Sequence, residues 1–108
     1  MSLSIATTPA PPYFAVIFTS LRTDGDQGYA RIAQRMLELA ATQSGFLGVE
    51  SARGDDGLGI TVSYWGSLED IQAWKQHEEH EAAQKVGRSV WYAAYQVRIC
   101  EVMRSYAL

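Results

Sequence analysis

Hydrophobic and polar residues alternate along the chain in patterns that predict four strands and two helices. Residues 13–18 form a continuous apolar run, rich in aromatic and branched side chains and preceded by prolines, which is typical of a strand. The Asp-Gly-Asp sequence at 24–26 then breaks the chain and can cap a helix, because apolar residues recur at helical spacing across residues 29–40. This helix is expected to end near residues 44–45, where a glycine can supply the left-handed C-cap.

A hairpin is predicted after the first helix. Residues 46–52 and 58–65 have the composition of strands, and the Gly-Asp-Asp-Gly loop at 54–57 between them suits a tight connection. The Ser-Leu-Glu-Asp sequence at 67–70 has the form of a capping box, with acidic groups in the first turn, where the helix dipole favours negative charge. A second helix is therefore predicted to begin there.

This second helix is expected to continue, with a bend or a break, to about Val86, before Gly87 interrupts it. Three of its apolar residues are expected to point inward: Leu68, Ile71 and Trp74. Residues 92–106 alternate well enough to form a long final strand. The order β-α-β-β-α-β predicts an α+β, ferredoxin-like fold with an antiparallel sheet and both helices on one face.

Two helices can cover only one face of such a sheet, and the strands carry apolar residues on both faces. On the third strand, one face is apolar and the other mixes polar and aromatic side chains; the two sets are Ile60, Val62 and Tyr64, and Thr61, Ser63 and Trp65. We expect the second face to be left uncovered in a single chain, and a patch of this kind marks an interface. The sequence thus predicts a homodimer whose sheets pack face to face, with the last strand helping to join the partners.

Length and composition indicate a single domain. The chain has 108 residues and a mass of 12.0 kDa, and 47% of its residues are hydrophobic, which is enough for a real core. We expect a flexible N-terminal arm at residues 1–12, followed by one domain at residues 13–106. No apolar run is long enough for a signal peptide or a membrane span, so no membrane partner is predicted.

Charge and cysteine content indicate which partners, location and cofactors to expect. The formal net charge is -3, and the Lys and Arg residues are dispersed, which argues against a nucleic-acid partner. The single cysteine, Cys100, cannot form an internal disulfide and is expected to be a small core residue, so a cytoplasmic location is the default. No glycine-rich phosphate loop follows a strand, and no nucleotide or flavin cofactor is predicted.

Three segments carry a resemblance to a known family. They are the Ser-Gly-Phe-Leu-Gly-Val-Glu turn at 44–50, the Ile-Thr-Val-Ser-Tyr-Trp-Gly-Ser-Leu-Glu junction at 60–69, and the Ile-Gln-Ala-Trp-Lys sequence at 71–75. With the opening strand, they resemble the antibiotic biosynthesis monooxygenase (ABM) superfamily of small dimeric α+β barrels, across residues 13–106. The resemblance implies a pocket between the sheet and its helices, in which some members oxidise aromatic polyketides with molecular oxygen and without metal or flavin.

Other members of that superfamily degrade heme. Their pattern pairs a Trp in the second helix with a His about three turns later and an Asn on the first strand. Placing the Trp at Trp74 puts the His at Gln84 and leaves Val16 or Ile17 near the Asn position. Because two of the three functional residues are replaced, the sequence does not favour heme degradation.

The His-Glu-Glu-His-Glu sequence at 77–81 is the main candidate for chemistry. It is not the zinc-protease motif H-E-x-x-H, because its histidines are three residues apart instead of four, and no metal site is predicted. His77, His80 and Gln84 share one helix side and follow Trp74, and one imidazole could act as a base near neutral pH. The alternative is that the segment is the solvated face of a short amphipathic helix.

Large aromatic residues concentrate in the second half of the chain: Tyr64, Trp65, Trp74, Trp91, Tyr92 and Tyr95. One interpretation is a pocket for a flat aromatic ligand, since Tyr and Trp supply apolar faces with single donors. Arg98 could then stabilise an anion, or could lie in an exposed or interface ion pair. The alternative is packing, with Trp74 and Tyr64 filling the core and Trp91 and Tyr92 anchoring the dimer.

Two functions stay open at the level of sequence. The resemblance implies a cofactor-independent monooxygenase acting on a small aromatic or quinol-like compound, with His77 and His80 as candidate catalytic residues. The candidate substrate-binding residues are Tyr64, Trp65, Trp74, Gln84, Trp91, Tyr95 and Arg98. The second possibility is a non-catalytic dimer that binds a small ligand or serves a stress role on the same scaffold.

Overall fold

The computed structural model describes residues 5–108, with the backbone alone at Glu78. The strands of this part of the chain are β1 (Tyr13–Arg22), β2 (Phe46–Arg53), β3 (Leu58–Trp65) and β4 (Tyr92–Val102). Its helices are α1 (Tyr29–Ala40), α2 (Leu68–Gln76) and α3 (Glu78–Val86), followed by a π-helical turn at Gly87–Trp91. Residues 1–4 of the predicted arm lie outside the described residues.

The strands form an antiparallel sheet in the order β2-β3-β1-β4, which confirms the ferredoxin-like prediction. The β2–β3 hairpin closes as predicted. The Gly54 amide donates to the Leu58 carbonyl, and the Leu58 amide donates to the Asp56 carboxylate. Gly57 has a φ of 89°, a conformation that favours glycine, so the loop residues themselves determine this turn.

At β3 the helices cover the mixed polar and aromatic face, and the apolar face is open. On β4, Val97 and Ile99 of the helix-side face stay 45% and 54% exposed. Trp65 is fully buried, with its ring 6.3 Å from that of Trp74 on α2. The expectation that the mixed face stays uncovered is therefore wrong. This face can be covered because its polar groups have local partners: the Trp65 indole donates to Ser63, and the hydroxyls of Ser51 and Thr61 are hydrogen-bonded.

The ends of two elements, α1 and β4, differ from the sequence predictions. α1 ends at Ala40 instead of near residues 44–45, because the next amides fold back in short turns. α3 ends at Val86 as predicted, but Gly87 has right-handed helical dihedrals and continues into the π turn instead of interrupting the helical path. β4 ends at Val102, which pairs with Tyr13 at the start of β1, so the residues beyond it have no β1 residue to pair with.

The predicted bend in the second helix lies at His77, whose ψ of 134° separates α2 from α3. Of the three residues expected to point inward, Ile71 is buried and Trp74 is half-buried. Leu68 is 52% exposed, because it is the first residue of α2 and lies at the edge of the packed surface. The inward face of this helix is therefore shorter than predicted.

Two of the motif segments meet where β3 joins α2. The Ser67 hydroxyl accepts from the Asp70 amide at 3.1 Å and donates to the Asp70 carboxylate at 2.8 Å, which confirms the predicted cap. Gly45 has a φ of 79°, and its carbonyl accepts from the Gly66 amide at 2.8 Å. A Cβ at position 45 would overlap the Asp70 carboxylate, so only glycine fits there.

The described part of the N-terminal arm contacts the open face of the sheet. The Ala6 amide donates to one carboxylate oxygen of Glu50 at 3.0 Å, and the Tyr64 hydroxyl donates to the other at 2.7 Å. The Thr8 hydroxyl donates to that of Tyr13 at 2.9 Å. The arm therefore covers one part of this face.

Apolar side chains stay exposed on the rest of the open face. Leu58 is 49% exposed, Ile60 is 48% exposed, and Leu21 lies beside Leu58 on the same face. Cys100 is also exposed here, contrary to its predicted place in the core, because β4 lies at the edge of the sheet.

Candidate functional site

An aromatic wall joins the end of β3 to α2. Trp65, the last residue of β3, donates its indole N–H to the Ser63 hydroxyl at 2.9 Å. Its ring stacks on that of Trp74 at an angle of 25°, and Phe46 contacts it edge-on at 5.5 Å. Besides the indole N–H groups, the wall contains the Ser63 hydroxyl, which still has a hydrogen to donate.

His80 of α3 extends this wall. Its ring lies 4.1 Å from the Trp74 ring at an angle of 11°, and its Nδ1 is 2.8 Å from the Trp74 carbonyl oxygen. Since a carbonyl can only accept, Nδ1 carries the proton, and neutral His80 keeps a lone pair on Nε2. Burial lowers the pKa of His80, the carbonyl hydrogen bond opposes this shift, and nearby His77 adds to it. The side chain is therefore a neutral base at pH 7.

His77 and Gln84 have capping roles at the α2–α3 break. The Nδ1 atom of His77 accepts from the Glu79 amide at 3.3 Å, at the start of α3. The Gln84 amide donates to the Lys75 carbonyl at 2.9 Å, which satisfies a carbonyl at the end of α2. The two histidines, three residues apart, therefore both stabilise this break. His77 caps the start of α3, and His80 is hydrogen-bonded to the last turn of α2.

A groove of about 270 Å³ lies between α1 and α3. Its apolar lining residues are Ile32, Met36, Ala82, Ala83, Val86 and Trp91. Arg35 and Glu79 lie beside them and form a two-point ion pair, at 3.1 and 3.2 Å, with both side chains 49% exposed. This hydrogen bond and the opposite charges raise the pKa of Arg35 and lower that of Glu79. The ion pair therefore closes part of the groove mouth.

Trp91 and Tyr95 lie at the far end of the helix-covered face. Trp91 is buried, donates its indole N–H to the Gln27 carbonyl at 3.0 Å and contacts Tyr29 edge-on at 5.7 Å. Tyr95 is 43% exposed and contacts Phe18 edge-on at 5.5 Å. Trp91 thus belongs to the core of its own chain and also lines the groove.

Two arginines surround Tyr29 near this end. Arg53 donates to the hydroxyls of Ser20 at 2.7 Å and of Tyr29 at 3.3 Å, and the Arg22 guanidinium lies 3.9 Å from the Tyr29 ring centre. Tyr92 donates to the Tyr29 hydroxyl at 3.3 Å, and burial raises the pKa of Tyr92. Sequence reasoning missed this cluster, because only the sheet register brings these residues of three strands and a helix together.

Tyr64 and Arg98 lie on the open face, on the same side as Ala15 and Ile17. Tyr64 donates to Glu50, and its partial burial, followed by that hydrogen bond, raises its pKa to about 12. Within one chain, these two predicted binding residues are therefore separated by the sheet from the aromatic wall and His80.

No metal cluster or membrane-spanning helix is found in the described part of the chain. Among the side chains of residues 5–108 that the structure describes, no three His, Cys, Asp or Glu residues form a group that could hold a metal ion. None of the helices in the same residues is both long enough and apolar enough to cross a membrane.

Comparison with known proteins gives both a family and a fold. The family model described as antibiotic biosynthesis monooxygenase matches residues 12–86. An uncharacterized protein, YqjZ of Bacillus subtilis (strain 168), is 56% identical over 100 residues, which cover 93% of this chain and 88% of YqjZ.

Two solved structures share the fold at low identity. SnoaB, a cofactor-independent oxygenase from Streptomyces nogalater, matches with a TM-score of 0.75 at 9% identity, over 88% of this chain and 97% of SnoaB. PA3566 from Pseudomonas aeruginosa matches with a TM-score of 0.70 at 14% identity, over 91% of this chain and 99% of its own. The family match and the sequence relative together show that the chain belongs to the antibiotic biosynthesis monooxygenase family.

Proposed function

We propose that the chain is an oxidoreductase of the monooxygenase type, which oxidises a small phenolic or quinol-like compound with molecular oxygen and without metal or flavin. Family membership and the shared fold with SnoaB support this reaction class. The observation that carries the proposal is His80, a half-buried neutral imidazole whose proton is held on Nδ1 by the Trp74 carbonyl.

The proposed reaction balances without a further reductant. The phenolic proton of the substrate moves to Nε2 of His80, and the resulting phenolate is electron-rich enough to reduce oxygen. One oxygen atom enters the ring as a new carbonyl, and the other leaves as water with two hydrogens from the substrate. A phenol thus becomes a quinone, and all the electrons that oxygen accepts come from the substrate.

The surroundings of His80 support an aromatic substrate. Trp65 and Trp74 offer ring faces beside the imidazole, and the Ser63 hydroxyl supplies a polar contact in a largely apolar wall. A phenolate is stabilised more strongly by a donor in such surroundings than in water. Because His77 caps α3, the proposal assigns catalysis to His80 alone.

The proposal includes a homodimer joined through the open face of the sheet. Leu58 and Ile60 support it, because soluble chains rarely expose a contiguous apolar patch of this kind. The side chains assigned to catalysis all come from one chain, so the dimer is not needed to complete the site.

The test supplies the metal-free protein with phenol or 1-naphthol and isotopically labelled oxygen. We expect oxygen uptake above the buffer background and one labelled oxygen atom in each quinone product. His80→Asn should lower the rate about a hundredfold, because a positioned base contributes about that factor or more.

His77→Asn is the matched control, since asparagine can still accept the capping hydrogen bond at the start of α3. It should keep the wild-type rate. Uptake at the background rate in the wild type would contradict the proposal and favour a non-catalytic ligand-binding dimer. Equal losses in the two variants would contradict the assignment of His80.

A further inference from the structure

The groove between α1 and α3 is a cavity to which the proposed function above assigns no role. We infer that it binds an uncharged, flat aromatic molecule of one or two rings. Its lining, volume and charge each restrict the ligand. The inference rests on the proposed function in one respect, since it names the substrate class that this chain would accept.

The volume of the groove sets an upper limit on the ligand. An apolar cavity of about 150 Å³ is enough to bind benzene, and pockets for larger, drug-sized ligands begin at about 300 Å³. The groove, at about 270 Å³, lies between these two sizes. A bicyclic molecule can be enclosed in this volume, whereas part of a rigid polycyclic with three or more fused rings would extend out of the groove.

The lining of the groove favours an aromatic ring. Ile32 and Met36 of α1 lie opposite Ala83 of α3, and two small alanines at 82 and 83 leave the space that larger residues would fill. Trp91 forms one wall, and its ring is fixed by the hydrogen bond of its indole to the Gln27 carbonyl. A fixed indole face offers a flat ring an offset or edge contact without loss of side-chain entropy.

The charges at the mouth favour an uncharged ligand. Arg35 is neutralised by Glu79, and Glu38 on the same helix adds a second favourable interaction with it. The cation among the described lining residues of the groove, Arg35, is therefore already paired, and an anionic ring would lose solvation on entering an apolar groove. A solvent-exposed ion pair contributes little to stability, so it can open to admit a neutral ligand.

The position of the groove connects it to His80. His80 precedes Ala83 by three residues on α3, so the base and one wall of the groove belong to adjacent turns of the same helix. A ring held in the groove would lie along the helix that carries the base.

The binding test follows the side-chain methyl groups of Ile32, Met36 and Val86 by NMR in the full chain. Three probes are added in turn: 1-naphthol, which is neutral and bicyclic, 1-naphthoate, which is anionic and bicyclic, and anthrone, which is neutral and tricyclic. We expect 1-naphthol to shift all three methyl signals, with 1-naphthoate and anthrone weaker by about tenfold or more. Shifts that are absent, or that occur only elsewhere, would overturn the inference.

Three substitutions should change which of the three probes the groove binds. Ala83→Leu should fill the groove and abolish the shifts caused by 1-naphthol, whereas Met36→Ala should enlarge it and admit anthrone. Glu79→Gln removes one partner of Arg35 and should strengthen binding of 1-naphthoate by about fivefold. Asp55→Asn in the exposed β2–β3 loop is the matched charge control and should change nothing.

The outcomes separate this inference from the proposed function. Binding of 1-naphthol in the groove without oxygen uptake would support the groove as a binding site and contradict the enzymatic proposal. Unchanged oxidation of 1-naphthol by a folded Ala83→Leu variant would support the enzymatic proposal and contradict the groove as the substrate site. Tighter binding of anthrone than of 1-naphthol by the wild type would overturn the size limit.

Discussion

The two faces of the sheet differ in how their polar groups are hydrogen-bonded and how their apolar side chains are covered. On the helix-covered face, polar groups are paired with other side chains of that face: Ser63 accepts from Trp65, and Ser20, only 2% exposed, accepts from Arg53. On the open face, Leu58 and Ile60 stay about half exposed. Polar residues can therefore lie inside when each has a partner, and Leu58 and Ile60 lie outside because no residue among 5–108 covers them.

This difference separates two roles in the molecule. The helix-covered face contains the aromatic wall, His80 and the groove, which are the features suited to binding and proton transfer. The open face carries exposed apolar area, with Tyr64 and Glu50 beneath the arm and Arg98 and Cys100 on β4. Changes on the two faces should therefore affect different measurements.

Gly45→Ala should have the largest effect on stability. Gly45 lies where the α1–β2 connection is hydrogen-bonded to the β3–α2 connection through the Gly66 amide. A positive φ and an overlap with Asp70 should together lower the free energy of unfolding by about 3 kcal/mol. Gly28→Ala is the control, since Gly28 has a φ of 83° but open space around its Cβ position, and about 1 kcal/mol is expected. Urea unfolding measures both values. Equal losses of unfolding free energy in the two variants would mean that the close packing of Gly45 against Asp70 does not contribute to stability.

Ile60→Asp should have the next largest effect, on assembly instead of folding. A charge in the proposed interface should weaken the homodimer by about a hundredfold, as the loss of an interface hot spot does. Light scattering should then show the mass move from twice 12.0 kDa towards 12.0 kDa. Leu68→Asp, at an equally exposed apolar residue on the helix side, should leave the dimer intact. A wild type that is already monomeric at micromolar concentration would contradict the proposed assembly.

The smallest expected effect is a pH dependence caused by His80. Burial lowers its pKa in the folded state below the ordinary value of 6.5, so the unfolded chain binds more protons as the pH falls. The contribution of neutral His80 is therefore fully present above pH 6.5 and is lost as the pH falls through the folded-state pKa. Thermal unfolding should show a smaller loss between pH 7.5 and 5 for His80→Asn than for the wild type. Parallel curves for the two proteins would contradict the buried, neutral state of His80.

Features that depend on neighbouring residues could be predicted from the sequence. The loop between β2 and β3 contains its own turn residues, and Ser67 caps α2 with an amide only three residues away. The four strands and the break near His77 follow from local patterns in the same way. The family motifs around Gly45 and Ser67 could be recognised, but their role in joining two connections is visible only in three dimensions.

Features that depend on distant residues could not be predicted. Alternation shows which residues of β3 share a face but not which face the helices cover, so the sequence alone predicts the wrong face as the open one. The histidine spacing indicated a possible base, but the tautomer of His80 depends on the extended backbone at His77, which brings the Trp74 carbonyl to its ring. The groove depends on Arg35 and Glu79, which are 44 residues apart.

The most direct test of the central claim compares one variant from each face in the same assay. Oxygen uptake with 1-naphthol is measured for the wild type, His80→Asn and Ile60→Asp, each checked for folding by circular dichroism. The account predicts a loss of about a hundredfold in His80→Asn and a near wild-type rate per chain in Ile60→Asp. Full activity in His80→Asn, together with a loss in Ile60→Asp, would place the chemistry on the open face and contradict the account.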